Sequence, residues 1–246
     1  MVAVRPSAEL IESAVPAWPA LQELIRRSSV PVTVLPVERE DGERTLYRLQ
    51  VASSTTLGAL ALETGGLLVD DGWLRVLGGG YLGDDGLLVD LAGANDLGDP
   101  EEDVPAPSVF TVAHDILGGR FAVNNGALPG EPGKVCYWGP DTLEWTPLGI
   151  THTAFVEWAL SGSLAQFYAD LRWPDWSDEV KGLPPDQGLA CYPFLFSDEG
   201  RDIGETLRVP VPFDELTTLL EDLARQVGYL PSAPAIRPPR HGLRLR

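Results

Sequence analysis

Apolar positions along this chain recur at helical spacing in some segments and gather in others into short β-rich or apolar runs bounded by turn residues. Residues 16–28 carry Trp18, Leu21, Leu24 and Ile25 at helical spacing, with Arg26 and Arg27 at the end where cations favour the helix dipole. This predicts an amphipathic helix. Residues 30–37 and 45–51 are β-rich and flank a charged turn, Glu38 to Glu43, which predicts a hairpin. Leu57, Leu60 and Ala61 share one face of a predicted helix over 55–64, stopped by Gly65 and Gly66. Residues 67–69 and 73–77 flank Asp70-Asp71-Gly72, the signature of a second hairpin.

Further strands are predicted over 108–113, 120–124, 134–138 and 143–145, punctuated by Asn124-Asn125-Gly126 and Gly139-Pro140-Asp141. Two tandem helices follow. The first, 151–161, groups Phe155, Val156, Ala159 and Leu160, and the second, opened by Ser163 in a capping-box pattern, groups Leu164, Phe167, Tyr168 and Leu171. A late strand is expected over 190–196. The strongest helical pattern is 213–227, with Leu216, Leu219, Leu220, Leu223 and Val227 on one stripe. Together these elements predict a single α+β domain over 16–230, a mainly antiparallel sheet flanked by helices, with an extension at 1–15 and a basic, flexible Pro/Arg tail at 231–246.

Composition narrows the function classes. The chain has 246 residues and a net charge of −18, from 36 acidic and 18 basic side chains. Counterion release rewards basic surfaces, so nucleic acid and anionic membranes are excluded as partners of the main surface, and a basic protein partner is favoured. The N-terminus has no continuous apolar region of the signal-peptide kind, which, with two widely spaced cysteines, Cys136 and Cys191, predicts a cytoplasmic protein with reduced thiols. Between Val76 and Gly119 there is no Lys or Arg but nine carboxylates. Burying many unpaired charges is costly, so this stretch is expected at the surface. Its residues Asp84, Asp85, Asp99, Glu101, Glu102 and Asp103 are the candidate partner-binding set, with Trp173 and Trp176, which an irregular segment is expected to expose.

Three motifs bear on catalysis. The run Gly78 to Gly83 matches a dinucleotide fingerprint after a predicted strand, but Asp84-Asp85-Gly86 stands where a phosphate-binding helix would begin. It is read as turn glycines, and no cofactor is expected. His114 and Asp115 could act as a general base with its orienting carboxylate, giving a hydrolase-like alternative. The simpler expectation is that Asp115 accepts N–H groups of the turn 116–119 while His114 packs or faces solvent. With only His152 and His241 besides, no metal site is expected.

The segments LALETGGLLVDDGWLRVL (60–77), DILGGRF (115–121), KVCYWGPDTLEW (134–145) and FVEWALSGSLAQFYADLRW (155–173) resemble the bacterial family called domain of unknown function 2625, over roughly residues 18–227. That resemblance implies no assigned reaction. The order of elements over 55–66 and 134–161 also resembles the SUKH superfamily of intracellular α+β binding modules, many of them immunity proteins against bacterial toxins. This likeness implies a SUKH-like fold and binding rather than catalysis, with a toxin as one possible basic partner. The chain departs from that pattern in its long extension after Ser161.

Overall fold

The computed structural model describes residues 4–12, 15–83, 88–102 and 106–228. The expected tail at 231–246 and the candidates Asp84, Asp85 and Asp103 lie outside the described residues. In chain order the elements are α1 (Ser7–Ile11), α2 (Trp18–Arg26), β1 (Val32–Leu35), α3 (Arg39–Leu49), α4 (Thr56–Glu63), β2 (Gly66–Val69), β3 (Leu74–Leu77), β4 (Tyr81–Leu82), β5 (Leu88–Val89), β6 (Val109–Asp115), β7 (Arg120–Asn124), β8 (Val135–Trp138), β9 (Trp145–Pro147), α5 (His152–Leu160), α6 (Leu164–Phe167), α7 (Trp176–Val180), β10 (Gln187–Tyr192), β11 (Leu207–Pro212) and α8 (Phe213–Gln226). The fold is α+β. Seven strands form one antiparallel sheet in the order β1-β2-β3-β6-β7-β8-β9, and β4-β5 and β10-β11 form two small ribbons.

The period-two pattern gives the sheet two unlike faces. Its inner face presents Leu67, Val69, Leu74, Val76, Phe121 and Val135 to α2, α4 and α5, in a buried cluster that also takes in Leu21, Leu60, Phe155 and Leu160. Its outer face carries one row straight across six strands: Leu68, Arg75, His114, Arg120, Trp138 and Trp145 are successive cross-strand partners. The leucine stripe of α8 covers the Trp138 end of that row through Leu216, Leu220 and Ala224. Helix starts follow their caps: Thr55 accepts the Gly58 amide at 2.9 Å and Thr151 accepts that of Ala154 at 3.3 Å.

Several expectations are corrected. The hairpin expected from 30–37 and 45–51 is one strand, β1, followed by the helix α3. Arg39–Glu43 and Arg44–Asp41 pairs at i,i+4 and i,i+3, acids in the first turn, and the buried pair Thr45 and Leu46 favour the helix over β propensity. The helix 55–64 does not end in a glycine cap: Thr64 is already extended, and Gly66 (φ 141°) opens β2. Ser163 makes no side-chain cap bond and instead pairs its hydroxyl with Ser161 at 2.8 Å. The late strand is displaced to 187–192, where it pairs with β11, a strand whose prolines at 210 and 212 hid it from propensity reasoning. Within the stretch read as an extension, α1 docks Leu10 against Leu46 and Leu62, and the Leu10 carbonyl accepts the Ser53 amide.

The glycine run after β3 is used for close packing. Gly79 donates its amide to Thr64 O at 2.7 Å and accepts the Thr45 hydroxyl at 3.0 Å. A Cβ at Gly79 would overlap the Ala61 carbonyl oxygen and stand 3.0 Å from Gly42 Cα. Gly79→Ala is therefore expected to push α3 and α4 off the end of β3, destabilising the protein by roughly 1–3 kcal/mol in urea unfolding, as overpacking does. An unchanged midpoint would contradict the contact.

Candidate functional site

Two neighbourhoods come from the sequence reading, His114–Asp115 and the acidic segment. His114 and Asp115 are the last two residues of β6, and consecutive strand residues face opposite sides of a sheet. Asp115, 0% exposed, lies on the inner face. Its Oδ1 accepts the Leu117 and Gly119 amides, both at 2.9 Å, which is the turn-holding role expected of it. Its Oδ2 accepts the hydroxyls of Tyr137 at 2.9 Å and Tyr168 at 3.0 Å. Burial raises the Asp115 pKa above the usual carboxylate range, while Tyr137, Gly119, Tyr168 and Leu117 as donors pull it back down. The two tyrosines were not legible as its partners, because they come from β8 and from the turn after α6, 22 and 53 positions away.

His114, 4% exposed, lies on the outer face, stacked on Phe213 with ring centres 3.6 Å apart. Burial, and after it the neighbouring Arg75 guanidinium, pulls its pKa down to about 3, so the imidazole is neutral at physiological pH. The backbone of β6 thus stands between the imidazole and the carboxylate, and Asp115 does not orient His114 as a catalytic pair requires. Among the described residues no group of three or more His, Cys, Asp or Glu is placed to hold a metal ion. Cys136 and Cys191 are both buried free thiols.

The tryptophan expectation is corrected. Trp173 is 6% exposed: it donates Nε1 to Glu179 at 2.9 Å, and Arg208 lies 4.2 Å over its ring. Trp176 is half-buried, packed 5.0 Å from Trp73 with Arg172 4.1 Å over its ring. Cation–π contacts in an irregular segment gather these rings inward, where sequence shows only the absence of periodicity.

The acidic segment divides by pairing. Asp90, 4% exposed, is held 3.3 Å from Arg48 of α3, a counter-ion 42 positions away. Among the described carboxylates of this stretch, Asp90 and Asp115 are thus the exceptions to surface placement. Asp96, Asp99, Glu101 and Glu102 are exposed as expected. Their loop is clamped to the sheet by Asn95, whose amide gives its N–H to Thr111 O at 2.8 Å and takes the Thr111 N–H at 2.6 Å, imitating a strand. Arg48 also donates to the Leu97 carbonyl at 2.9 Å.

Between this loop and α3 runs a groove of about 880 Å³. Leu49, Val51, Leu57, Phe110 and Val123 give it an apolar floor, and Asp96, Asp99 and Glu102 an acidic rim. Glu101 and Asp99 also reach Tyr47 electrostatically: after burial, their negative charges raise its pKa. His152 lines the far side, its pKa lowered to about 4 by burial. No helix of the described residues is long and apolar enough to cross a membrane.

Comparison with known proteins places this architecture in a family. The family model described as "Protein of unknown function DUF2625" matches residues 7–216. A relative from Escherichia coli (strain K12), "Putative uncharacterized protein YbfG", is 34% identical over 205 residues, covering 80% of this chain and 89% of that one. A second, an "Uncharacterized protein" from Haemophilus influenzae, is 34% identical over 189 residues, covering 77% and 82%. No solved structure matches the chain.

Proposed function

The chain belongs to the DUF2625 family, and on that premise we propose that it is a non-enzymatic cytoplasmic binding protein whose acidic groove receives a basic segment of a protein partner. The observation that carries this reading is the pairing of an apolar floor with a rim of exposed carboxylates, Asp96, Asp99 and Glu102, held in place by the Asn95 clamp. A segment with apolar side chains flanked by Lys or Arg complements both parts, and a net charge of −18 steers it in. The opposite facing of His114 and Asp115 weighs against the hydrolase alternative. The SUKH resemblance gives the reading its most specific form, in which the partner is a toxin and the protein its immunity factor.

The test is a partner retained on the tagged chain and identified by mass spectrometry, then titrated with purified wild type and with Asp96→Asn/Asp99→Asn/Glu101→Gln/Glu102→Gln. Binding should weaken at least tenfold in the variant and fall steeply between 50 and 300 mM salt, conditions chosen to span the screening range. Equal affinity for both chains, or indifference to salt, would remove the acidic rim from the function.

A further inference from the structure

Residues 229–246, which follow α8, carry Arg237, Arg240, Arg244 and Arg246 and no Asp or Glu, with Ile236, Leu243 and Leu245 set beside the arginines. That is the chemistry the acidic groove asks of an occupant, cations for its rim and apolar side chains for its floor. Resting on the reading of the groove as a receptor for basic segments, we propose that residues 229–246 of the same chain are its resident occupant, docked on the exposed carboxylates Asp96, Asp99 and Glu102, and that a protein partner must displace them.

The rim is not neutralised by the fold. Among the described residues Asp96, Asp99 and Glu102 enter no ion pair, and Asp99 accepts the Glu101 amide at 2.9 Å. The one Lys or Arg among the described lining residues is Arg48, and Asp90 at 3.3 Å and the Leu97 carbonyl at 2.9 Å hold its guanidinium. Arg5, on the side of Gln50, donates to the Gln50 carbonyl. Lys134 follows the lining residue Gly133 and makes no ion pair with the rim.

Length permits the docking. Helix α8 packs on Trp138 through Ala224, and Gly133, on the groove wall, stands five positions before Trp138, hence at most about 18 Å from it. The 18 residues after Gly228 can span up to about 60 Å, enough to round the edge of a sheet whose packed layers lie about 10 Å apart. Tethering then decides the population. A short tether holds its segment at an effective concentration on the order of 1 mM, so a groove affinity of only about 0.1 mM fills roughly nine-tenths of the molecules. Pro231, Pro234, Pro238 and Pro239 reduce the backbone freedom lost on docking. A free partner then binds about tenfold more weakly than it would to an empty groove.

The test places a nitroxide on Gly242→Cys in the full chain and follows backbone amides by 15N NMR; Cys136 and Cys191 are buried and stay in place, with mock-labelled wild type as the control. The amides of Gly98, Phe110 and Gly133 should broaden. They should recover at about 1 M salt, where the screening length falls to roughly 3 Å, and in Asp96→Asn/Asp99→Asn/Glu102→Gln. Arg237→Gln/Arg240→Gln/Arg244→Gln/Arg246→Gln should abolish the broadening and bind the identified partner at least threefold tighter than wild type. Absent broadening, broadening indifferent to salt and to the rim, or equal partner affinity of the arginine variant and wild type each overturns the proposal. So does broadening of 15N-labelled wild type mixed with a spin-labelled second copy, which would assign the groove to another molecule's segment. The two readings fail separately: partner binding that needs the rim without any broadening removes the docked segment alone, whereas broadening that needs the rim with partner binding that ignores it removes the partner from the groove and leaves the segment there.

Discussion

Replacing Asp115 with Ala is expected to be the most damaging single change in the molecule. Four donors converge on this carboxylate, and the loss would leave the Leu117 and Gly119 amides and the Tyr137 and Tyr168 hydroxyls buried without their acceptor. Each orphaned group costs about 1–3 kcal/mol, and removal of a buried charged partner costs about 3–5 kcal/mol in all. For a chain of this size that is a drop in melting temperature of roughly 8–15 °C. Asp115→Asn keeps an acceptor for the two amides and should lose about half as much, and Tyr168→Phe, which removes one donor, about 1 kcal/mol. Gly119 belongs to the same knot, since a Cβ there would overlap Asp115 Oδ2 and stand 2.5 Å from the Tyr137 hydroxyl. Calorimetric scans of the three variants check the order. A melting temperature for Asp115→Ala within a degree or two of wild type would mean that the four hydrogen bonds do not form.

Mild acid should weaken the fold through its histidines. The folded-state pKa of His114 is depressed to about 3 and that of His152 to about 4, in both cases chiefly by burial, whereas an unfolded histidine titrates near 6.5. As pH falls below 6.5 the unfolded chain takes up protons that the folded chain refuses. The stability from neutral burial is therefore complete above about pH 6.5 and is lost progressively as pH falls toward the folded values. At pH 5 His114 alone should account for a loss of about 2 kcal/mol, with less from the partly buried His152. Urea unfolding at pH 7 and pH 5 isolates this contribution from that of the carboxylates: His114→Phe should lose about 2 kcal/mol less than wild type over the interval. Equal losses in the two proteins would show that His114 is protonated in the folded state.

Periodicity alone revealed the elements whose apolar stripe matches what they bury. The stripe of α8 and the apolar runs of β2, β3, β7 and β8, bounded by turn residues, fall within a residue or two of their expected positions. What failed was local propensity overridden by tertiary contact. In α3, Gly42 allows close approach to the Leu62 carbonyl and Thr45 bonds to Gly79, neither of which a strand reading of 45–51 anticipates. Long-range pairing was equally out of reach. Nine carboxylates without a nearby cation read as one exposed surface, yet Asp90 borrows Arg48 and Asp115 borrows two tyrosines. The adjacency of His114 and Asp115 suggested a pair, but strand geometry turns them apart once β6 extends through both. The exposed acids of the loop were legible because charge density needs no tertiary knowledge, whereas the apolar floor beneath them comes from α3, α4, β6 and β7 and exists only in the fold.

The most direct test of the acidic groove is hydrogen–deuterium exchange on the full-length protein alone and saturated with its identified partner. Protection should appear in the end of α3 and the residues after it (48–51), in the acidic loop (95–102) and at the start of β6 (109–111), and should vanish in the four-fold neutralised variant. Protection confined to other surfaces, with exchange in these three segments unchanged, would contradict the groove as the binding site.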